Sequence, residues 1–420
     1  MRLNQAALNK EFPALNARFG GKKLVYLDSA CTALKMRSAA AAQQASLLGG
    51  GVCAGRRSAH LPAVKAEEAF FMARRQVAAF MGAPSPEEII FTAGTTDAFN
   101  LFINSFPFTA ARNEVIISPL EHNAVFLPLL NLAEAGVIKL RVLALRNWAP
   151  DTRDYGRFLG RRTALVCLNR ASNIFGGVTD TAAFTGPARA AGAKVFFDDA
   201  QYLPTHKGGA AAAGADACAF SGHKIGAPFG TGALYVERSL MARLRHARPG
   251  GGTVRGVSLR GGKFRADYLD NYQGFEAGVQ NYSGAAALAK AAGLLTKAGP
   301  ERTRRRMAEL VAYGLKRLSG LKLLKPAGDA ARLTEGSIIP LIPAASGFSC
   351  QDFSLFLNQG LKGEVIALRT GRHCADLASL SSGIREVIRL SFFIYSTESD
   401  IDAFAAAVEK YSAALGAVSK

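Results

Sequence analysis

The sequence predicts an α/β protein, with a large domain on a mainly parallel seven-stranded sheet and a smaller α+β domain towards the C-terminal end. Three observations carry that reading. Short apolar runs alternate with Ala/Leu-rich helical segments through the middle of the chain, the rhythm of βαβ units. The runs are almost continuously apolar, as befits strands covered by helices on both faces. After about Gly299 the texture shifts to a long basic helical segment and shorter strands.

Strands are expected, in order, at Glu88 to Phe91, Glu114 to Ser118, Ile138 to Leu143, Thr163 to Leu168, Lys194 to Phe197, Ala217 to Phe220 and Ala233 to Val236. Segments 123–135 and 181–191 read as helices between them. Gly250-Gly251-Gly252 and the polar stretch from Arg255 to Asp270 read as an exposed loop or hairpin. A helix is then expected over 301–318, strands over 336–341, 364–368 and 387–393, and a closing helix over 398–415. A chain of 420 residues suits two domains. The expected division is 21–298 for the large one, with 1–20 folding back onto 299–420.

Hydrophobic content of 49% and charged content of 20% fit a soluble globular chain, but the net charge of +19 is high. The basic pairs and triple (Arg56-Arg57, Arg74-Arg75, Arg161-Arg162, Arg304-Arg305-Arg306) are scattered, which reads as solvated helix faces. A nucleic-acid-associated protein on an enzyme scaffold is the disfavoured alternative, because no aromatic-basic platform accompanies the charge. The six cysteines (Cys31, Cys53, Cys167, Cys218, Cys350, Cys374) form no metal spacing, so no metal is expected. Cys167 and Cys218 lie in apolar runs and read as buried small hydrophobes. Met1 to Gln5 has no apolar signal core, and no stretch reaches membrane-spanning length, so no membrane partner is expected. A reducing cytoplasm is the expected compartment.

The chemistry concentrates at strand ends, where ligands bind in parallel sheets. One strand runs into Asp198, and the next into Ser221-Gly222-His223-Lys224. An acid and a lysine delivered by neighbouring strands are the two groups that pyridoxal 5′-phosphate needs, Lys224 to carry its aldehyde and Asp198 to keep the ring nitrogen protonated. Singly, such an Asp caps a turn and such a Lys is a solvated charge. Together, with glycine-rich 225–232 behind the lysine, they describe a cofactor floor. Gly94-Thr95-Thr96 follows a strand and opens a helix, making an anion cradle of backbone N–H groups and hydroxyls. His122 follows the next strand, either lying against the ring or capping a helix. Cys374 has two arginines and a histidine within five residues, the kind of setting in which reactive thiols are found.

These motifs resemble those of the type II cysteine desulfurases and selenocysteine lyases, within the class V aminotransferase-like, fold-type I PLP enzymes. The resemblance spans nearly the whole chain: Tyr26-Leu27-Asp28-Ser29-Ala30, Gly94-Thr95-Thr96, Glu121-His122, Asp198-Asp199-Ala200-Gln201, Ser221-Gly222-His223-Lys224, the 369–375 loop and Arg389-Leu390-Ser391. It implies that Lys224 holds the cofactor and moves the Cα proton, Asp198 pairs with the ring nitrogen and Gln201 reaches the ring hydroxyl. It implies that Thr95, Thr96, Ser221 and His223 bind the phosphate and that His122 stacks on the ring. Asn173 and Arg389, assisted by Arg369, would hold the substrate carboxylate. Cys374 would take sulfur from L-cysteine as a persulfide, leaving alanine, in a homodimer that passes the sulfur to an acceptor protein. The alternative is another class V chemistry: selenocysteine lyase, another C–S lyase, an epimerase or an aminotransferase. Three positions depart from the family. Val279 stands where a Thr contacts the phosphate across the dimer, and Asp376-Leu377 stand where a proline is common. Cys31 stands where a small alanine is usual; it reads as a tolerated small residue, with a second reactive thiol as the alternative.

Overall fold

The computed structural model describes residues 4–50, 58–345 and 347–418. Cys53 and the Arg56-Arg57 pair therefore lie outside the described residues. All seven strands expected of the large sheet form it: β1 (Ile89–Thr92), β2 (Glu114–Ile117), β3 (Lys139–Val142), β4 (Thr163–Asn169), β5 (Lys194–Asp198), β6 (Ala217–Ser221) and β7 (Gly232–Val236). Their spatial order is β1-β7-β6-β5-β4-β2-β3. Only β7 runs against its neighbours, pairing antiparallel with both β1 and β6. The other contacts are parallel, so six strands end at the same edge.

Alternate side chains enter opposite cores, as the two-residue strand period requires. In β5, Val195 and Phe197 join the core beneath helices Leu61–Met81 and Tyr282–Ala298, while Phe196 joins the one beneath Thr95–Ser105. The β6 residues divide likewise, Cys218 and Phe220 to the first core and Ala217 and Ala219 to the second. Burying each such phenylalanine contributes about 1.5–3 kcal/mol, so the strand ends that bear Asp198 and Ser221 are firmly held. Cys167 and Cys218 are fully buried, as expected.

The smaller C-terminal domain has a four-stranded antiparallel sheet in the order Leu324–Pro326, Ile338–Pro343, Val387–Ser391, Arg369–Gly371. Helices Pro300–Leu318 and Glu398–Val418 pack on it. The expected strand over 364–368 forms at Glu364–Ala367 but lies outside that sheet. It pairs in parallel with Lys22–Tyr26, which brings Val25 and Leu27 into the C-terminal core. The expected exposed hairpin forms from Val254–Arg260 and Lys263–Tyr268. Three long helices, Arg37–Gly50, Leu61–Met81 and Tyr282–Ala298, have no counterpart among the expected elements. Each is rich in alanine, which blurs the contrast between faces on which helical periodicity depends.

One basic pair departs from its expected surface role. Arg74 is 1% exposed. It makes a bidentate pair with Glu276 at 2.8 and 2.7 Å. Tyr272, Phe91 and Phe70 cover it, with ring centroids 4.1, 4.6 and 5.0 Å from the guanidinium carbon.

Candidate active site

A pocket of about 150 Å³ opens at the strand edge where β1, β5 and β6 end. It gathers Thr95, Thr96, His122, Asn173, Asp198, Gln201, Ser221, His223, Lys224, Arg369 and Arg389, all of the expected site residues except Cys374.

At one end, Gly94 turns the chain from β1 into helix Thr95–Ser105. Its φ of +152° is a conformation for glycine, and no side chain caps the helix. A Cβ on Gly94 would stand 3.1 Å from Ser221 Oγ, and one on Gly232 would stand 2.6 Å from the Cα of Gly94. Ser221 Oγ accepts from Thr95 N at 2.8 Å and lies 2.9 Å from Thr95 Oγ1. The result is a small concavity of hydroxyls at a positive helix end, suited to an anion. His223 borders it, and burial, with help from Lys224 and Lys35, pushes its pKa down to about 4. The ring is therefore neutral near pH 7.

Asp198 and Lys224 both line the floor, each within electrostatic reach of the other. Burial pushes the Asp198 carboxyl up to about 6, opposed by the Ala200 N–H and by Lys224. Burial likewise pushes the Lys224 amine down to about 8, against the pull of Asp198. Gln201 donates its amide to Ala30 O at 2.7 Å, tying the turn after β5 to the N-terminal segment. His122 does cap its helix, with Nδ1 accepting from Ala124 N at 3.0 Å, and it also faces the pocket. Burial and the nearby Lys224, Arg389 and Arg369 lower its pKa to about 3. Behind it Glu121 is fully buried, its carboxyl pushed up by burial and by Asp198.

Opposite the lysine stands Arg389, 1% exposed. Its Nη1 donates to Asn173 O at 2.8 Å and its Nη2 to Asp28 Oδ1 at 2.9 Å, which leaves Nε buried without a partner. Asn173 lines the pocket but commits its side-chain amide to His373 O at 2.8 Å, so it also fixes the thiol loop.

Cys374 is exposed at the pocket's edge rather than on its wall. His373 and Cys374 both adopt left-handed backbone, with φ of +54° and +55°. That conformation costs about 1–2 kcal/mol per residue, and local hydrogen bonds offset it. Asn123 N donates to Cys374 O at 2.8 Å, and the Asn123 side chain exchanges hydrogen bonds with Asp376. Asp376, in place of the common proline, thereby anchors the loop to the helix that follows His122. Of the three basic neighbours expected around the thiol, Arg369 reaches it. Its Nη2 is 3.7 Å from Cys374 Sγ, and its Nη1 is 3.7 Å from Cys31 Sγ. Arg372 instead pairs with Asp376, and His373 turns inward to Val387 O. Val279 is 76% exposed, beyond a turn at Gly278.

Sequence reasoning missed the partners that position these groups. Asp28 lies in a quoted motif, yet nothing local shows that it clamps Arg389. Asp199 forms a buried ion pair with Arg170, whose backbone N–H also holds the Asp198 carbonyl. No group of His, Cys, Asp and Glu suited to a metal occurs among the described residues.

Comparison with known proteins agrees with this geometry. The chain is 33% identical to a cysteine desulfurase of Pectobacterium carotovorum, over 97% of each sequence. Its fold matches a cysteine desulfurase from Escherichia coli, solved in an S-sulfonic acid form, with a TM-score of 0.83, 29% identity and 98% coverage of both chains. The apo cysteine desulfurase of Thermococcus onnurineus matches with a TM-score of 0.85 and 25% identity, again over 98% of both. The aminotransferase class-V family model matches residues 25–404, and the chain belongs to that family.

Proposed function

We propose that the protein is a pyridoxal 5′-phosphate-dependent cysteine desulfurase that converts L-cysteine to L-alanine and keeps the sulfur as a persulfide on Cys374. The observation that carries this reading is one cavity lined by the buried carboxyl of Asp198, by Lys224, by an uncapped helix start and by Arg389, with a thiol at its edge.

The residues fit the coenzyme. The Gly94–Thr96 turn with Ser221 and His223 would hold its phosphate, Asp198 its ring nitrogen, Gln201 its hydroxyl and Lys224 its aldehyde. His122, neutral and beside the floor, would lie against the ring. When bound, the coenzyme supplies an electron sink for a substrate's Cα–H bond. Arg389 lines the pocket and would grip a carboxylate there, while Asp28 and Asn173 O hold the guanidinium in orientation. Asn173 contributes by holding the thiol loop, and Arg369 borders the substrate space. Lys224, with an amine near neutrality, can take and return a proton at Cα. Cys374 attacks the substrate sulfur. A new S–S bond forms as the C–S bond breaks, and the carbon left behind is protonated to alanine. The placement of Arg369 against the thiol favours sulfur chemistry over an epimerase or aminotransferase. The same thiol would serve selenocysteine.

We also read the protein as a homodimer that hands sulfur to an acceptor protein. Leu48, Val279, Leu259 and Phe264 are exposed apolar side chains that a partner copy would shield from water. The described cysteines are free, as in a reducing cytoplasm. No described helix is long and apolar enough to cross a membrane.

Alanine release from L-cysteine by the coenzyme-loaded protein tests the activity, with Lys224→Ala as the inactive control. Cys374→Ser should bind coenzyme and form no persulfide. Absence of alanine from the wild-type protein would refute the reading, and keto acid or racemised products from an amino-acid panel would identify another class V reaction.

A further inference from the structure

Cys31 lies on the pocket wall between Asp28, which clamps Arg389, and the segment leading to Lys35. It is partly buried, whereas Cys374 is exposed. One guanidinium joins the two thiols, with Arg369 donating from Nη1 to Cys31 Sγ and from Nη2 to Cys374 Sγ, each at 3.7 Å. Because the fork is planar and rigid, the sulfurs stand no more than about 10 Å apart. Turning the Cys374 side chain moves its sulfur by at most about 3 Å, and the outer sulfur of a persulfide reaches about 2 Å further, so the two together close part of that span. Lys224, Lys35 and Arg389 also lie within electrostatic reach of the Cys31 sulfur. A side chain that shares one guanidinium with the loop thiol, on the wall of the substrate space, is a poor candidate for a merely space-filling residue.

We propose that Cys31 is a second sulfur-carrying thiol of the active site, loaded from the Cys374 persulfide through the guanidinium of Arg369. The inference rests on the desulfurase reading and extends it. In the transfer, the Cys31 thiolate attacks the outer sulfur of the Cys374 persulfide. An S–S bond forms at Cys31 as the S–S bond at Cys374 breaks. Cys374 leaves as a thiolate, which Nη2 of Arg369 receives. One thiolate is consumed and one released, the transferred sulfur keeps its oxidation level, and no outside oxidant or reductant enters. Arg369 is suited to the exchange because the same rigid group donates to the attacking sulfur and to the leaving one. Once moved, the sulfur lies inside the pocket rather than at its solvent-facing edge, and Cys374 is free to accept again.

The experiment is site-resolved. Coenzyme-loaded wild-type protein, Cys31→Ser and Cys374→Ser are each incubated with L-cysteine without an acceptor, alkylated and digested with trypsin. Cys31 and Cys374 fall in separate peptides, 24–35 and 373–385, each with a single cysteine. The expected result is an added sulfur on both peptides of the wild-type protein and on neither peptide of Cys374→Ser. Cys31→Ser should hold half the bound sulfur of wild type, all of it on Cys374. Alanine release by wild type with sulfur confined to Cys374 overturns the inference and leaves the desulfurase reading standing. Sulfur on Cys31 in Cys374→Ser overturns the relay, because Cys31 would then draw directly on substrate. No alanine from the wild-type protein removes both.

Discussion

The Lys224 amine is the group on which the proposed chemistry turns, and its protonation can be measured without coenzyme. Burial lowers its pKa to about 8, with Asp198 acting in the opposite direction. At pH 7 roughly a tenth of Lys224 is free amine, against about 0.03% for a lysine at its ordinary value, a gain in reactive base of about 300-fold. Competitive acetylation of the coenzyme-free protein between about pH 6 and 11, read at Lys224 by peptide mass spectrometry, should rise and level off near pH 8, while surface lysines keep rising above pH 10. In Asp198→Asn the contribution that favours the ammonium is gone, so the midpoint should fall further below 8. Two outcomes refute the reasoning: labelling of Lys224 that climbs in parallel with surface lysines, or an upward shift of the midpoint in Asp198→Asn.

Two further outcomes follow from the packing. Glu276→Ala strips the buried Arg74 of its counter-ion and Phe91 N of its acceptor, and should cost about 3–5 kcal/mol. Thermal unfolding should come about 4–8 °C earlier, with much of the loss recovered when Arg74→Met is added; a double variant as unstable as the single one would count against an uncompensated charge. Gly94→Ala forces a side chain onto backbone reserved for glycine and pushes Ser221 Oγ from Thr95 N, at about 1–3 kcal/mol. Pyridoxal 5′-phosphate should then bind roughly 5- to 150-fold more weakly in a fluorescence titration, and an unchanged affinity would remove the cradle from the site.

The large sheet was legible because its strands are buried on both faces and so appear as uninterrupted apolar runs; the structure puts every one of them in place. Asp198 and Lys224 stand out in the sequence for a related reason, since one ends such a run and the other follows closely on the next. The alanine-rich helices were not, because alanine is at home on either face. Arg74 resembled its neighbour Arg75 in sequence, and only the rings of Phe70, Phe91 and Tyr272 and the carboxylate of Glu276 distinguish it. Contacts between distant segments were the least legible. Cys31 and Arg369 are 338 positions apart, and nothing near either residue announces the other. The strand Glu364–Ala367 could be read as a strand, but its partner Lys22–Tyr26 is set by tertiary packing.

The reversed direction of β7 has a consequence for the reactive amine. Ser221 and Gly232 face each other as register partners in adjoining antiparallel strands. The excursion 222–231 that bears Lys224 therefore leaves and re-enters the sheet at one spot, like a stitch drawn tight at both ends. A parallel crossover would have made the amine's position depend on how a distant helix settles. Here the sheet itself, at Ser221 and Gly232, fixes both ends of the segment that carries the nitrogen.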